Sequence, residues 1–114
     1  MKKLALFVLA AGLVTFLQFC GSSKKAASGV PKVTYAADVQ PIITKHCSPC
    51  HIPPQGNKEA LHTYDAAKSH VDSMIARIQL DPGQKGFMPF RHPKLPDSVI
   101  NVFVRWKETG LAEK

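Results

Sequence analysis

Beyond residue 37, apolar residues recur every three or four positions in three separate segments. This spacing is typical of helices that bury one face. In the first segment, residues 38–47, Asp38 is the predicted N-cap and Pro41 falls in the first turn, while Pro49 lies just beyond the end. The predicted inward side of this helix consists of Val39, Ile42, Ile43, His46 and Cys47.

The second segment, residues 63–80, predicts a longer helix. Thr63 is its predicted cap, and the sequence Asp81-Pro82-Gly83 provides a strong stop signal. Its apolar stripe consists of Tyr64, Ala67, Val71, Met74, Ile75 and Ile78.

The third segment, residues 97–110, has the end signals of a helix. Asp97 lies in its first turn, Lys107 in its last turn, and Gly110 suits the C-terminal cap. Its predicted buried face consists of Val99, Val102, Phe103 and Trp106, widened by Ile100 and Val104. Long loops at 52–62 and 81–96 separate the three helices, and no alternating strand pattern of useful length occurs. The sequence therefore predicts an all-α domain.

The first nineteen residues have a different pattern. Lys2 and Lys3 precede an uncharged apolar run, residues 4–19. This order is typical of a signal peptide, and the run is somewhat short for a membrane span. We interpret residues 1–19 as a signal peptide, with an uncleaved anchor as the alternative.

Cys20 ends that run, and the sequence Leu17-Gln18-Phe19-Cys20 resembles the lipobox of bacterial lipoproteins. The resemblance implies cleavage before Cys20 and lipidation of its thiol. The chain has three cysteines, so one is left without a partner in an exported protein, and lipidation explains it. The alternative is a cysteine inside an unprocessed or differently cleaved leader. Residues 20–33, rich in Gly, Ser, Ala and Lys, then form a lipid-anchored flexible linker to a domain over residues 34–114.

The chain is basic, with a formal charge of +7, which falls to +5 once Lys2 and Lys3 are removed with the leader. The remaining basic residues are scattered and form no dense stripe interleaved with aromatic residues. This distribution argues against a nucleic-acid-binding protein. A modest positive field favours docking to an acidic protein partner.

Cys47, Cys50 and His51 form a C-x-x-C-H sequence, which is the attachment pattern of c-type haem. From the residue counts, a chance occurrence has a probability of only about 0.2%. A zinc site would need four ligands, and no second pair of cysteines follows. A thioredoxin-like redox pair of cysteines is preceded by a strand, whereas here a predicted helix precedes the motif. A plain disulfide would leave His51 unexplained.

A haem accounts for all three residues. Cys47 and Cys50 are three positions apart and lie on one side of a helical turn, so both can form thioethers with one edge of a porphyrin. His51 follows directly and is the predicted iron ligand on that side. The predicted cofactor is one covalent haem c (heme c).

The predicted sixth ligand of the iron is Met88, in the loop sequence Gly86-Phe87-Met88-Pro89. Helical periodicity does not explain a methionine at this position, whereas core packing fully explains Met74. A methionine ligand raises the reduction potential of a His-ligated haem. Met74, His92 and an open position remain the alternatives.

Other residues are weaker candidates for the site. Candidate partners for the haem propionates are Arg77, Arg91 and Lys94. Candidate wall residues, which core packing explains equally well, are Phe87, Phe90, Phe103 and Trp106. His46 is interpreted as packing against the haem edge, and the residues interpreted as surface or loop histidines are His62, His70 and His92.

These features together resemble a class I cytochrome c over residues 34–114. The resemblance is carried by the Cys47–His51 motif near the start, by Met88-Pro89 in a later loop, and by a last helix that contains Trp106. It implies a small fold of three to four helices packed around a covalent haem, with the first and last helices crossing. Class II cytochromes, which carry the motif near the C-terminus, are disfavoured.

The predicted function is one-electron transfer by a His51/Met88-ligated haem, in a carrier rather than an enzyme. We expect a membrane-anchored lipoprotein of the bacterial cell envelope, on the periplasmic side or the outer surface, with redox partner proteins that present acidic docking surfaces. The alternatives are a haem-based sensor or redox-enzyme subunit with a labile sixth ligand, and a haem-free metal or binding module.

Overall fold

Three α-helices follow one another in the computed structural model, which describes residues 31–114. They are α1 (Gln40–His46), α2 (Tyr64–Gln79) and α3 (Asp97–Glu108), and a π-helical turn, Tyr35–Val39, leads directly into α1. The compact unit spans Pro31–Lys114. The all-α prediction is confirmed for this part of the chain. The predicted leader 1–19, Cys20 and most of the predicted linker lie outside the described residues.

The start of the first helical segment differs from the prediction, because Thr34, and not Asp38, is the N-cap. The Thr34 hydroxyl accepts a hydrogen bond from the backbone N–H of Ala37 at 3.3 Å. The Asp38 carboxylate instead accepts from the backbone N–H of Thr34 at 2.8 Å. The wide π-helical turn brings the Asp38 side chain back over the start of the helix, so the two residues cap the turn reciprocally.

The predicted end signals of the other two helices are confirmed. The Thr63 hydroxyl caps α2 by accepting from the N–H of Ala66 at 3.3 Å. After α3, Gly110 adopts φ 94°, the left-handed conformation that closes many helices at little cost for glycine.

The buried faces of the helices largely follow the predicted stripes. One difference concerns α3, in which Ile100 is buried, whereas Val99 and Val102 are only half-buried. The buried helical side chains, with those of the π-helical turn included, are Tyr35, Val39, Ile43, Ala67, Val71, Met74, Ile78, Ile100, Phe103 and Trp106. None of the helices within residues 31–114 has both the length and the apolar character needed to cross a membrane.

Three aromatic rings join the beginning of the unit to α2 and α3. Tyr35, Tyr64 and Trp106 have ring centroids 5.8, 6.0 and 6.3 Å apart, mostly in edge-on or tilted arrangements. Trp106 is completely buried, and its indole N–H donates to the carbonyl of Ala112 at 2.8 Å. Because a buried indole needs a hydrogen-bond acceptor, the C-terminal residues are fixed against α3.

The two ends of the unit meet at this cluster. Thr34 and Ala112 form an isolated parallel β-bridge, and the N–H of Tyr35 donates to the Ala112 carbonyl at 2.8 Å. The Arg105 guanidinium also donates to the carbonyl of Pro31 at 3.0 Å. We call these contacts the terminal closure.

Candidate functional site

A single cavity of about 710 Å³ is lined by Cys47, Cys50, His51 and Met88. The fold therefore brings the Cys–Cys–His motif together with the methionine 37 positions downstream of His51. The volume falls within the range of about 300–1,000 Å³ that is usual for cofactor and ligand sites. Much of the remaining wall is apolar, with contributions from Ile42, Leu61, Met74, Ile78, Leu95 and Phe103.

The motif follows α1 as an irregular turn. The N–H of Cys47 donates to the carbonyl of Ile43 at 2.9 Å, and the N–H of His51 donates to the carbonyl of Cys47 at 3.0 Å. Cys47 and Cys50 are not joined by a disulfide. The backbone thus holds both sulfur-bearing residues and the imidazole of His51 in one continuous turn.

The His51 side chain is held in one tautomer. Its Nδ1 lies 2.6 Å from the carbonyl oxygen of Glu59, which can only accept a hydrogen bond. Nδ1 therefore carries a proton, and in the neutral imidazole the lone pair is on Nε2. Histidines that bind metals usually donate their second ring nitrogen to a carbonyl or carboxylate in this way.

The chain folds back on the motif directly after it, through residues 56–61, which we call the return segment. The N–H of Lys58 donates to the Cys50 carbonyl at 3.1 Å, and the N–H of Leu61 donates to the His51 carbonyl at 3.0 Å. At Gly56, a Cβ atom would lie 2.2 Å from the carbonyl oxygen of Cys50. Because these contacts are with backbone, only glycine fits there without displacing the chain.

Burial distinguishes the two cysteines. Burial raises the pKa of the Cys47 thiol to about 11, whereas Cys50 is exposed. A thiol with a raised pKa is mostly protonated at neutral pH, so Cys47 is a poor nucleophile there. Within residues 31–114, no three His, Cys, Asp or Glu side chains are grouped as a metal site would require.

Met88 lies on a loop that is fixed to the end of α2. Its N–H donates to the carbonyl of Arg77 at 3.2 Å, and the Arg77 guanidinium donates to the carbonyl of Gly86 at 3.4 Å. Gly86 has φ 94°, which a residue with a side chain rarely adopts. Met74 is buried in the core and also lines the cavity, so both methionine side chains border the cavity. The choice of Met88 as ligand stays a prediction.

Of the three candidate propionate partners, Arg77 lines the cavity, whereas the other two do not. The guanidinium of Arg91 lies over the ring of Phe90, with its central carbon 5.1 Å from the ring centroid. The Lys94 ammonium lies 2.7 Å from the carboxylate of Asp81. Arg77 is therefore the candidate that the fold favours.

The candidate wall aromatics divide into two pairs. Phe90 and Phe103 line the cavity, although Phe90 is also 64% exposed. Phe87 and Trp106 are not in its wall, and Trp106 belongs to the aromatic cluster on the other side of the core. Phe90 therefore forms an apolar rim at the cavity mouth.

Three further histidines line the cavity: His46, His70 and His92. The pKa of His46 is lowered, first by burial and then by the nearby charges of Lys45 and His92. An uncharged His46 at the cavity edge agrees with its interpretation as a packing residue. His70, interpreted from the sequence as a surface or loop residue, lies on α2 with its Nε2 3.3 Å from the Glu59 carboxylate.

Sequence reasoning missed Gly56, Glu59 and the role of His70. The sequence signal for the close approach of the return segment to the motif is Gly56 itself, a glycine in the Pro-rich stretch after His51. Glu59 contributes a backbone carbonyl, and every residue type has one, so no side-chain pattern identifies it.

Comparisons with protein-family models, with curated proteins and with solved structures gave no match to this chain. Two thiols and an imidazole with a free Nε2 adjoin a largely apolar cavity, which a thioether side chain reaches from the opposite loop. This donor set fits a large apolar cofactor that is bound through sulfur and carries a metal for nitrogen and sulfur ligands.

Proposed function

We propose that the protein is a one-electron carrier with one covalently attached c-type haem. Cys47 and Cys50 would hold the porphyrin by thioether bonds, while His51 and Met88 would be the axial ligands of the iron. The observation that carries this proposal is the Nδ1–H hydrogen bond from His51 to the Glu59 carbonyl beside a cavity shared with both cysteines and Met88. When bound, the haem supplies a ferric/ferrous couple that accepts and returns one electron.

The residues around the cavity have distinct parts in this proposal. His51 is presented with its Nε2 free and its ring fixed by the short hydrogen bond, so little rearrangement is needed for ligation. Met88 would raise the reduction potential and occupy the sixth position, which leaves no site for a substrate. The apolar wall excludes water, and Arg77 can neutralise a haem carboxylate at the rim.

We also propose that the all-α unit is a class I cytochrome c fold. In support, the motif directly follows the first helix, and Met88 comes from a loop between α2 and α3. The beginning of the first helical segment meets the last helix, because Tyr35 and Trp106 have ring centroids 6.0 Å apart. This contact agrees with the crossing of first and last helices that the family resemblance implies.

The proposed location is the bacterial cell envelope. It depends on residues 1–19 acting as a signal peptide and on lipidation of Cys20, which would tether the domain to a membrane. The net basic charge of the chain favours redox partners with acidic docking surfaces, an attraction that salt should weaken.

The deciding experiment is a pyridine haemochrome spectrum of protein produced together with a c-type haem maturation system. We expect one haem per chain, retained on denaturation and shown by its absorption to be attached through two thioethers. Replacing both Cys47 and Cys50 by Ala should abolish the attachment, whereas Cys20→Ser should preserve it. Absence of covalent haem from the unsubstituted protein would overturn the proposal.

One observation favours a second function, that of a sensor or redox-enzyme subunit with a labile sixth ligand. Met74 and His92 line the same cavity as Met88, so other donors are available if the Met88 loop moves. Carbon monoxide binding to the reduced protein separates the two functions. The electron-carrier proposal expects slow or no binding, whereas a labile or open position gives rapid and complete binding.

A further inference from the structure

Glu59 touches the site in two ways. Its backbone carbonyl lies 2.6 Å from Nδ1 of His51, and its carboxylate lies 3.3 Å from Nε2 of His70 on α2. Glu59 and His70 also both line the cavity. One residue of the return segment therefore connects the imidazole of the motif to a helix on the other side of the site.

We propose that Glu59 and His70 are positioning residues for His51, and that their contact sets the strength of the His51–Glu59 hydrogen bond and thereby the reduction potential. This inference rests on the proposed function, since it treats His51 as the iron ligand. Neither residue touches the iron in this proposal, and both act through the orientation of the Glu59 carbonyl.

The surrounding hydrogen bonds explain why the contact with α2 matters. The return segment is bonded to the motif on both sides of Glu59, through Lys58 to Cys50 and through Leu61 to His51. These bonds hold the segment against the motif, and the buried Leu61 anchors the end of the segment in the core, but none of these contacts holds the Glu59 side chain against α2. His70 supplies a link to α2, a 16-residue helix whose neighbouring residue Val71 is buried in the core.

The contact is partly exposed, with 36% of the His70 side chain and 66% of the Glu59 side chain accessible. Exposed pairs of this kind contribute little to folding stability. A hydrogen bond, in contrast, weakens steeply as its length and angle depart from the optimum. Loss of the contact should therefore change the properties of His51 much more than it changes the stability of the protein.

The direction of the effect follows from the proton on Nδ1. A strong hydrogen bond from Nδ1–H to a carbonyl makes the imidazole a better electron donor through Nε2. A better donor stabilises ferric iron more than ferrous iron, which lowers the potential. Weakening the bond should therefore raise the potential and speed the exchange of the Nδ1 proton with solvent.

The test compares Glu59→Ala and His70→Ala in the haem-loaded protein with Asp72→Asn as the matched control. Asp72 also lies on α2, and its carboxylate pairs at 2.5 Å with Lys107 on α3, away from the cavity. The two readouts are the reduction potential and the solvent exchange of the His51 Nδ1 proton, measured by NMR in the ferrous protein. We expect both test variants to raise the potential and speed the exchange, and the control to change neither.

A fourth variant, His70→Gln, keeps an N–H donor for the Glu59 carboxylate and should retain values close to those of the unsubstituted protein. If Glu59→Ala alone raises the potential, the loss of a negative charge explains it and the positioning role is overturned. If all variants keep the haem spectrum and show unchanged proton exchange and reduction potential, the positioning role is overturned and the proposed function stands. If the unsubstituted protein holds no covalent haem, the proposed function fails as well.

Discussion

The imidazole of His51 and the backbone carbonyl of Glu59, eight residues apart in the chain, form a hydrogen bond of 2.6 Å. The bond decides which ring nitrogen carries the proton and directs the free lone pair of Nε2 away from the return segment. A histidine that contributed only to core packing or to solubility would not need a fixed ring orientation. The pair therefore presents His51 in a form that suits metal ligation.

Met88→Ala should remove the weak near-infrared iron–sulfur band of the oxidised protein and lower its reduction potential, because the thioether that favours ferrous iron is lost. The matched variant is Met74→Ala, which also deletes a methionine of the cavity wall. Because Met74 is buried, its replacement should cost about 2–5 kcal/mol of folding free energy and leave the band in place. Loss of the band in Met74→Ala and its survival in Met88→Ala would assign the ligand to Met74.

Gly56→Ala should destabilise the return segment, because the new Cβ would lie 2.2 Å from the Cys50 and Pro49 carbonyl oxygens. Overpacking against backbone typically costs about 1–3 kcal/mol, which urea unfolding of the haem-loaded protein would measure. Asn57→Ala, at the exposed next position, is the control and should change the midpoint little. Equal unfolding midpoints in the two variants would mean that the chain does not return so closely to the motif.

Thiol modification should distinguish the two cysteines of the motif in the haem-free protein. At pH 8 the exposed Cys50 should react with iodoacetamide before Cys47, because burial both shields Cys47 and raises the pKa of its thiol to about 11. The Cys47 rate should rise as the pH approaches 11, where the thiolate forms. Peptide mapping by mass spectrometry measures both rates and identifies Cys20 separately.

In the haem-loaded protein neither cysteine of the motif should react at any pH, since both sulfur atoms would be thioethers. Equal modification of haem-loaded and haem-free protein would contradict covalent attachment. Equal rates for Cys47 and Cys50 in the haem-free protein would contradict the finding that Cys47 is less exposed than Cys50.

Cys20→Ser should shift the protein from the membrane fraction to the soluble fraction of cells, because the proposed lipid-bearing thiol is absent. The haem content should remain one per chain, which serves as the internal control for folding. Mass spectrometry of the unsubstituted protein should find an acylated N-terminus at Cys20. An intact leader, residues 1–19 included, would contradict this prediction.

Local signals were sufficient to predict the helices. Thr63 caps α2 and Gly110 follows α3 as predicted, because caps depend on a few neighbouring residues. Asp38 was a wrong prediction for the N-cap, since the sequence carries no clear signal for the wide π-helical turn that makes Thr34 the cap. Ile100 is buried whereas Val99 is half-buried, because the broad apolar stripe of α3 does not by itself determine how the helix is rotated against the core.

The candidate site was predictable where side-chain spacing carries the information. Cys47, Cys50 and His51 stand out by spacing, and Met88 stands out by its lack of helical periodicity. The Glu59 carbonyl and the close approach at Gly56 depend on the path of an irregular loop, which only the three-dimensional fold determines. The contact of His70 with Glu59 likewise requires knowledge of where α2 packs.

The terminal closure is the part of the unit on which a pulling force at its two ends acts first. A force that pulls residue 31 away from the C-terminus acts first on the Arg105–Pro31 and Tyr35–Ala112 hydrogen bonds. Those bonds lie beside Trp106, which is outside the cavity wall. Traction on the N-terminal side of the domain would therefore load the terminal closure before it loads the residues that line the cavity.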